Sequence, residues 1–90
     1  MDTIHKYIID PSNPEINMPA LAEVLTAAFK GGSLCLWARV NTNNQLRTRS
    51  FYAFGTGHEI PRQIGFKFRY TGTGFMHNGL VFHVFERLGV

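Results

Sequence analysis

Ninety residues with 44% hydrophobic and 13% aromatic side chains make a single domain, residues 1–90, with one modest core, and they exclude a disordered chain. The single cysteine, Cys35, excludes an intrachain disulfide and a thiolate metal cluster, and fits a reducing compartment. The net charge of +3 is unevenly spread: from Lys30 to Arg69 seven basic residues face one acid, Glu59. The remainder is acidic, so an anionic partner is expected at the central segment, with a solvated basic face as the plain alternative.

Taken in chain order, Met1 to Lys6 lacks the basic start and apolar core of a signal peptide, and no apolar run approaches the roughly 20 residues of a membrane span. A cytoplasmic protein with no membrane contact is the expectation. Ile4 to Ile9 is rich in β-branched and aromatic residues and stops at Asp10-Pro11-Ser12-Asn13-Pro14, so it reads as a first strand. Glu15 to Pro19 adds a short edge segment, because proline cannot donate to a central ladder.

Residues 22–29 and 33–40 read as a β-hairpin joined by Lys30-Gly31-Gly32-Ser33, with a helix over 20–28 as the competing reading. Over Ala20 to Phe29, Leu21, Leu25, Ala27 and Phe29 share one parity with Glu23 among them. In the second arm, Trp37 shares its parity with Cys35 and Arg39, opposite Leu34, Leu36, Ala38 and Val40. Asn41 to Gln45 is a polar turn, and Leu46 to Phe54 runs back antiparallel until Gly55-Thr56-Gly57 ends it. Ile64 to Tyr70 contains Phe66-Lys67-Phe68-Arg69-Tyr70, an apolar and basic alternation that puts three rings on one face and both cations on the other. Thr71-Gly72-Thr73-Gly74 echoes the first Gly-Thr-Gly as a second turn, Asn78-Gly79 is a turn dipeptide, and Leu80 to Glu86 forms a last strand. The predicted fold is all-β, a small antiparallel sandwich or barrel of short strands with at most one short helix.

The candidate site is the segment Gly55-Thr56-Gly57-His58 with the basic, aromatic run before it. Glycines let bare amides approach an anion, while Arg47, Arg49, Thr56 and His58 supply donors and Trp37 and Tyr52 supply rings for stacking. The plain alternative is a hairpin turn beside solvated arginines. His5, His58, His77 and His83 show no metal-ligand spacing, and His58-Glu59 are neighbours whose side chains point apart on an extended chain. No metal, no cofactor and no catalytic residue is therefore expected. His83 shares a strand face with Val81 and Phe85, where a hydrogen-bonded, semi-buried imidazole fits and a place on a pocket wall is the alternative.

The segments Thr3 to Tyr7, Ile16 to Pro19, Leu36-Trp37-Ala38-Arg39-Val40, Gly55-Thr56-Gly57-His58, Ile64-Gly65 and Leu80-Val81-Phe82-His83-Val84-Phe85-Glu86 resemble a family of small bacteriophage and prophage proteins of unknown function. The likeness spans nearly the whole chain. It departs at Met18-Pro19-Ala20-Leu21-Ala22, where family members tend to follow Met-Pro with a Gly-Ala pair. The resemblance implies a phage product in the host bacterial cytosol and supplies no catalytic residues. The expectation is a homo-oligomeric inhibitor of a bacterial defence system that sequesters an anionic, nucleotide-like signal molecule without cleaving it. The alternative is an inhibitor, such as an anti-CRISPR, that docks directly on a host defence protein.

Overall fold

The computed structural model describes residues 1–62 and 66–89, with the side chain of Phe66 left aside. Among these residues seven strands form: β1 (Asp2–Ile8), β2 (Glu15–Pro19), β3 (Glu23–Lys30), β4 (Ser33–Asn41), β5 (Leu46–Gly55), β6 (Phe66–Phe75) and β7 (Val81–Gly89). They build two antiparallel sheets, one ordered β1-β4-β3 and the other β2-β5-β7-β6. The sheets pack face to face as an open sandwich, and no described residue is helical. The segment 20–28 is thus the turn before β3 and most of that strand, as the hairpin reading held.

Local chemistry sets the turns. Asp10 Oδ1 accepts hydrogen bonds from Ser12 N at 2.9 Å and Ser12 Oγ at 2.7 Å, which folds the chain back after β1 around Pro11. The Ser12 hydroxyl and amide hold the exposed Asp10 carboxyl below its ordinary pKa. Gly31 and Gly32 both take positive φ, 60° and 82°, the requirement of a two-residue hairpin turn, so β3 returns tightly as β4. Asn41 Oδ1 accepts from Asn43 N, and Asn44 N donates to Asn41 O, closing the turn into β5.

The inward faces supply the core: Leu34, Leu36, Ala38 and Val40 of β4 and Ala27 of β3 meet Met18 of β2, Phe51 of β5 and Val84 of β7. Complete burial of a large aliphatic or aromatic side chain stabilises by about 1.5–3 kcal/mol, so these few residues dominate the fold's stability. Cys35 lies on the opposite parity from Leu34 and Leu36 yet is sealed. Its register neighbours are Ile8 and Ala28, and its thiol lies 3.5 Å from Ser33 O.

Three local expectations change. A bulge between Val24 and Thr26 throws Leu25 out of the alternation, and Leu21 sits in the turn before β3, so the parity of residues 21–29 does not carry through. Thr71 to Gly74 is no turn but the continuation of β6 past a second bulge, between Tyr70 and Gly72. There β6 approaches β3 so closely that a Cβ on Gly72 would stand 2.7 Å from the backbone nitrogen of Ala27. The strand start placed at Ile64, and Gly65 with it, lies outside the described residues, while β7 runs on to Gly89.

Candidate ligand-binding site

The eight residues expected to share one site divide among separate places. Trp37 lies on the outer face of the three-stranded sheet, opposite the buried Leu36 and Ala38. Tyr52 lies on the outer face of the four-stranded sheet, opposite the buried Phe51, so the two rings occupy opposite faces of the sandwich. Arg47 and Arg49 stand at the start of β5 and Gly55 at its end. Six residues of extended chain, about 20 Å, separate Arg49 from Gly55, and the arginines do not flank the glycine turn.

Arg49 is committed within the fold. Its Nε donates to Glu86 Oε2 at 2.6 Å, Nη2 to Glu86 Oε1 at 2.8 Å and Nη1 to the carbonyl of Ala22 at 2.6 Å. Arg69 Nη2 adds a bond to Glu86 Oε1 at 2.9 Å. Glu86 is only 4% exposed, on the inward parity of β7 with Val84. Burial pushes its carboxyl pKa up, but the hydrogen bonds and charges of Arg49 and Arg69 outweigh burial and hold it below the ordinary range. The guanidinium of Arg49 also lies over the Phe51 ring, 5.8 Å from its centroid. Arg47, by contrast, is exposed and donates to the carbonyl of its neighbour Leu46.

The segment Gly55 to His58 is a β-turn closed by His58 N on Gly55 O at 3.0 Å, with Gly57 at φ 87° in its third position. The His58 ring folds back onto Gly55, where a Cβ would stand 2.8 Å from ring atoms. Thr56 N donates to Val81 O at 3.2 Å, so two of the turn's amides are spent on the turn and its neighbour strand. Gly55, Thr56 and His58 nevertheless line a depression of about 340 Å³ with Gly79, Leu80, Val81 and Phe82.

Beside that depression the outer face of the four-stranded sheet is paved with rings. Tyr52 and Phe54 of β5, Phe68 and Tyr70 of β6 and Phe85 of β7 meet with centroids 5.5–6.4 Å apart, mostly edge to face. The pairings Phe54 with His83 and Thr73 with His83 set an imidazole in the same face between two threonines. Thr56 Oγ1 lies 2.8 Å from Nε2 and Thr73 Oγ1 lies 3.1 Å from Nδ1, and Tyr70 Oη reaches Thr73 Oγ1. Each hydroxyl both donates and accepts, so the row serves any tautomer of His83 and keeps capacity for an added ligand. Rings next to such a row suit a planar, heteroatom-bearing molecule: stacking on the first, edge hydrogen bonds to the second.

Of the expected residues, Tyr52 and Thr56 belong to this face and Gly55, Gly57 and His58 border it. Phe54, Phe68, Tyr70, Thr73 and Phe85 were outside the expected set, and His83 was foreseen only as an alternative member of a pocket wall. Their signal was in the sequence as outward parity on three strands, unusable until the order β5-β7-β6 made the strands neighbours. Elsewhere, an apolar cleft of about 520 Å³ opens between the sheets, lined among others by Phe29, Leu34, Phe51, Phe82 and Met76. Among the described residues no group of three or more His, Cys, Asp or Glu side chains could hold a metal ion. Among the described residues no helix is long and apolar enough to cross a membrane.

Fold and surface together define a small two-sheet antiparallel β-sandwich with an aromatic outer face. The chain belongs to the family described as a domain of unknown function, DUF7352, whose family model matches residues 1–89. No curated protein and no solved structure matches it significantly.

Proposed function

We propose that this protein is a binding protein that takes a nucleotide-like anionic ligand on the ring-paved face of the four-stranded sheet and does not cleave it. In the phage setting that the sequence resemblance implies, such binding withholds a signal molecule from a host defence system. The observation that carries the reading is the juxtaposition of five interlocking rings with the Thr56, His83, Thr73 and Tyr70 row. A base stacks on exposed ring surface and bonds the row, while its phosphate lies toward the turn of Gly55 to His58. Base stacking on aromatic side chains contributes about 1–3 kcal/mol per base, a share of the roughly 8 kcal/mol that micromolar binding requires.

A thermal-shift panel of cyclic dinucleotides, cyclic trinucleotides and cyclic ADP-ribose forms tests this. A ligand held at about 100 times its dissociation constant adds about 2.7 kcal/mol, a rise well above noise in a domain this small. Thr56→Val should reduce the rise without lowering the unliganded melting point, and heat-released ligand should be intact by mass. No rise with any of these compounds ends the proposal. Direct docking on a host protein is favoured by one observation: Phe75 and Leu80, 72% and 53% exposed, extend the apolar surface past the rings. A stoichiometric host protein captured in moderate salt, together with an unresponsive ligand panel, would establish docking instead.

A further inference from the structure

The four outer strand edges of the sandwich are not equivalent. β2 is five residues long and carries Pro19, while β3 and β6 are each interrupted by a bulge and lean on one another at Ala27 and Gly72. All three carry devices that discourage further pairing. β1 carries no bulge and no proline: it pairs in unbroken register with β4 from Asp2 to Ile8, and among the described residues its other edge faces no strand.

The pairing fixes which backbone groups that edge displays. Ile9 N donates to Leu34 O at 2.8 Å, and the β1 register continues that pair, so Thr3, His5 and Tyr7 direct their amides and carbonyls to β4. Asp2, Ile4, Lys6 and Ile8 therefore direct theirs outward. The side chains of this second set share the outer face with Trp37, and Ile4 and Ile8 are 59% and 60% exposed.

We propose that β1 pairs antiparallel with β1 of a second copy, about a two-fold axis at Ile4, joining two three-stranded sheets into one of six strands. An added antiparallel strand must match outward groups with outward groups, which restricts the axis to a few positions. An axis at Lys6 sets lysine against lysine. An axis at His5 sets Lys6 against Ile4 and Asp2 against Ile8, giving neither charge a counter-charge. The axis at Ile4 sets Ile4 beside its own copy and Asp2 opposite Lys6 at both ends, so charge complementarity selects it. Asp2 already accepts Arg39 Nε at 2.9 Å, so the second copy's lysine extends a pair into an alternating row of three charges. This inference does not depend on the ligand proposal, since the outer face of the other sheet remains open in such a dimer.

Native mass spectrometry and sedimentation equilibrium at up to about 100 µM protein test it. The wild type should run at twice 10.2 kDa. Lys6→Asp sets carboxylates against Asp2 of the second copy, and Asp2→Lys sets ammonium groups against Lys6. Each variant alone should dimerise about tenfold more weakly or worse, whereas mixing the two should restore a heterodimer in which both pairs are opposite in charge. Ile4→Pro, which removes an outward amide only, should give a folded monomer with unchanged far-UV circular dichroism. A wild type that stays monomeric overturns the proposal. So does a dimer equally strong in both charge variants, which would place the contact on another face.

Discussion

Replacing Arg49 with alanine should destabilise the fold severely, not merely remove a surface charge. The change deletes two bonds to Glu86, one to the carbonyl of Ala22 and a long one to Met18 Sδ, and among the described residues leaves the carboxylate on the bond from Arg69. Removing one partner of a buried ion pair costs about 3–5 kcal/mol, because the remaining charge keeps its desolvation penalty. Arg69 is well exposed and stays in place, which puts the expected loss near the lower end, about 3 kcal/mol. A domain of this size has about 5–13 kcal/mol in total, so the melting point should fall by about 12–24 °C. Urea unfolding followed by the single tryptophan, Trp37, and by far-UV circular dichroism gives the difference directly. Arg49→Met with Glu86→Leu removes both charges and should recover more than half of the loss, with the unpaired Ala22 carbonyl retaining the rest. A loss below about 1 kcal/mol for Arg49→Ala, or a double variant no better than the single, refutes the reasoning.

Leu21 holds φ 65° at the third position of the turn closed by Ala22 N on Pro19 O, and it is 95% exposed. Leu21→Gly should therefore raise stability by about 1 kcal/mol, read as a melting-point rise of several degrees. Gly72→Ala should cost about 2 kcal/mol or more by prying β6 from β3, and an unchanged urea midpoint would contradict that close approach. Gly57→Ala should cost about 1 kcal/mol from its positive φ alone, with Gly57→Asn milder, both measured by thermal melts. Because the folded-state pKa of Glu86 is depressed, its ion pairs contribute stability above the unfolded-state value of about 4.3, and this is lost as the pH falls through the folded value. Glu86→Gln should accordingly show a smaller drop in urea midpoint between neutral and acid pH than the wild type.

Much of the strand pattern was legible because turn chemistry is local. Gly31-Gly32 between apolar arms specifies a hairpin, and Asp10-Pro11-Ser12-Asn13 specifies a reversal, wherever they fall in a fold. The two Gly-Thr-Gly segments were indistinguishable as letters yet differ in cause. Gly57 is a glycine for its backbone angle, whereas Gly72 and Gly74 are glycines because a Cβ would strike Ala27, and Phe29 and Leu34. The second cause depends on which strand lies across the sandwich, which no local pattern records. Arg49 shows the same limit: its partner Glu86 is 37 residues away, so its charge looked available for a ligand when the fold had already used it. The aromatic face was half legible, since each strand's outward rings could be counted but their adjacency follows only from the order β5-β7-β6.

The sealed position of Cys35 makes the three-stranded sheet its own clock. A thiol only 1% exposed, on a strand flanked by β1 and β3, reacts with an alkylating reagent during local openings of the sheet, so its labelling rate reads the frequency of such openings under native conditions. With one cysteine in the chain, each labelled molecule records one event at one place. The dependence of that rate on reagent concentration then separates how often the sheet opens from how long it stays open.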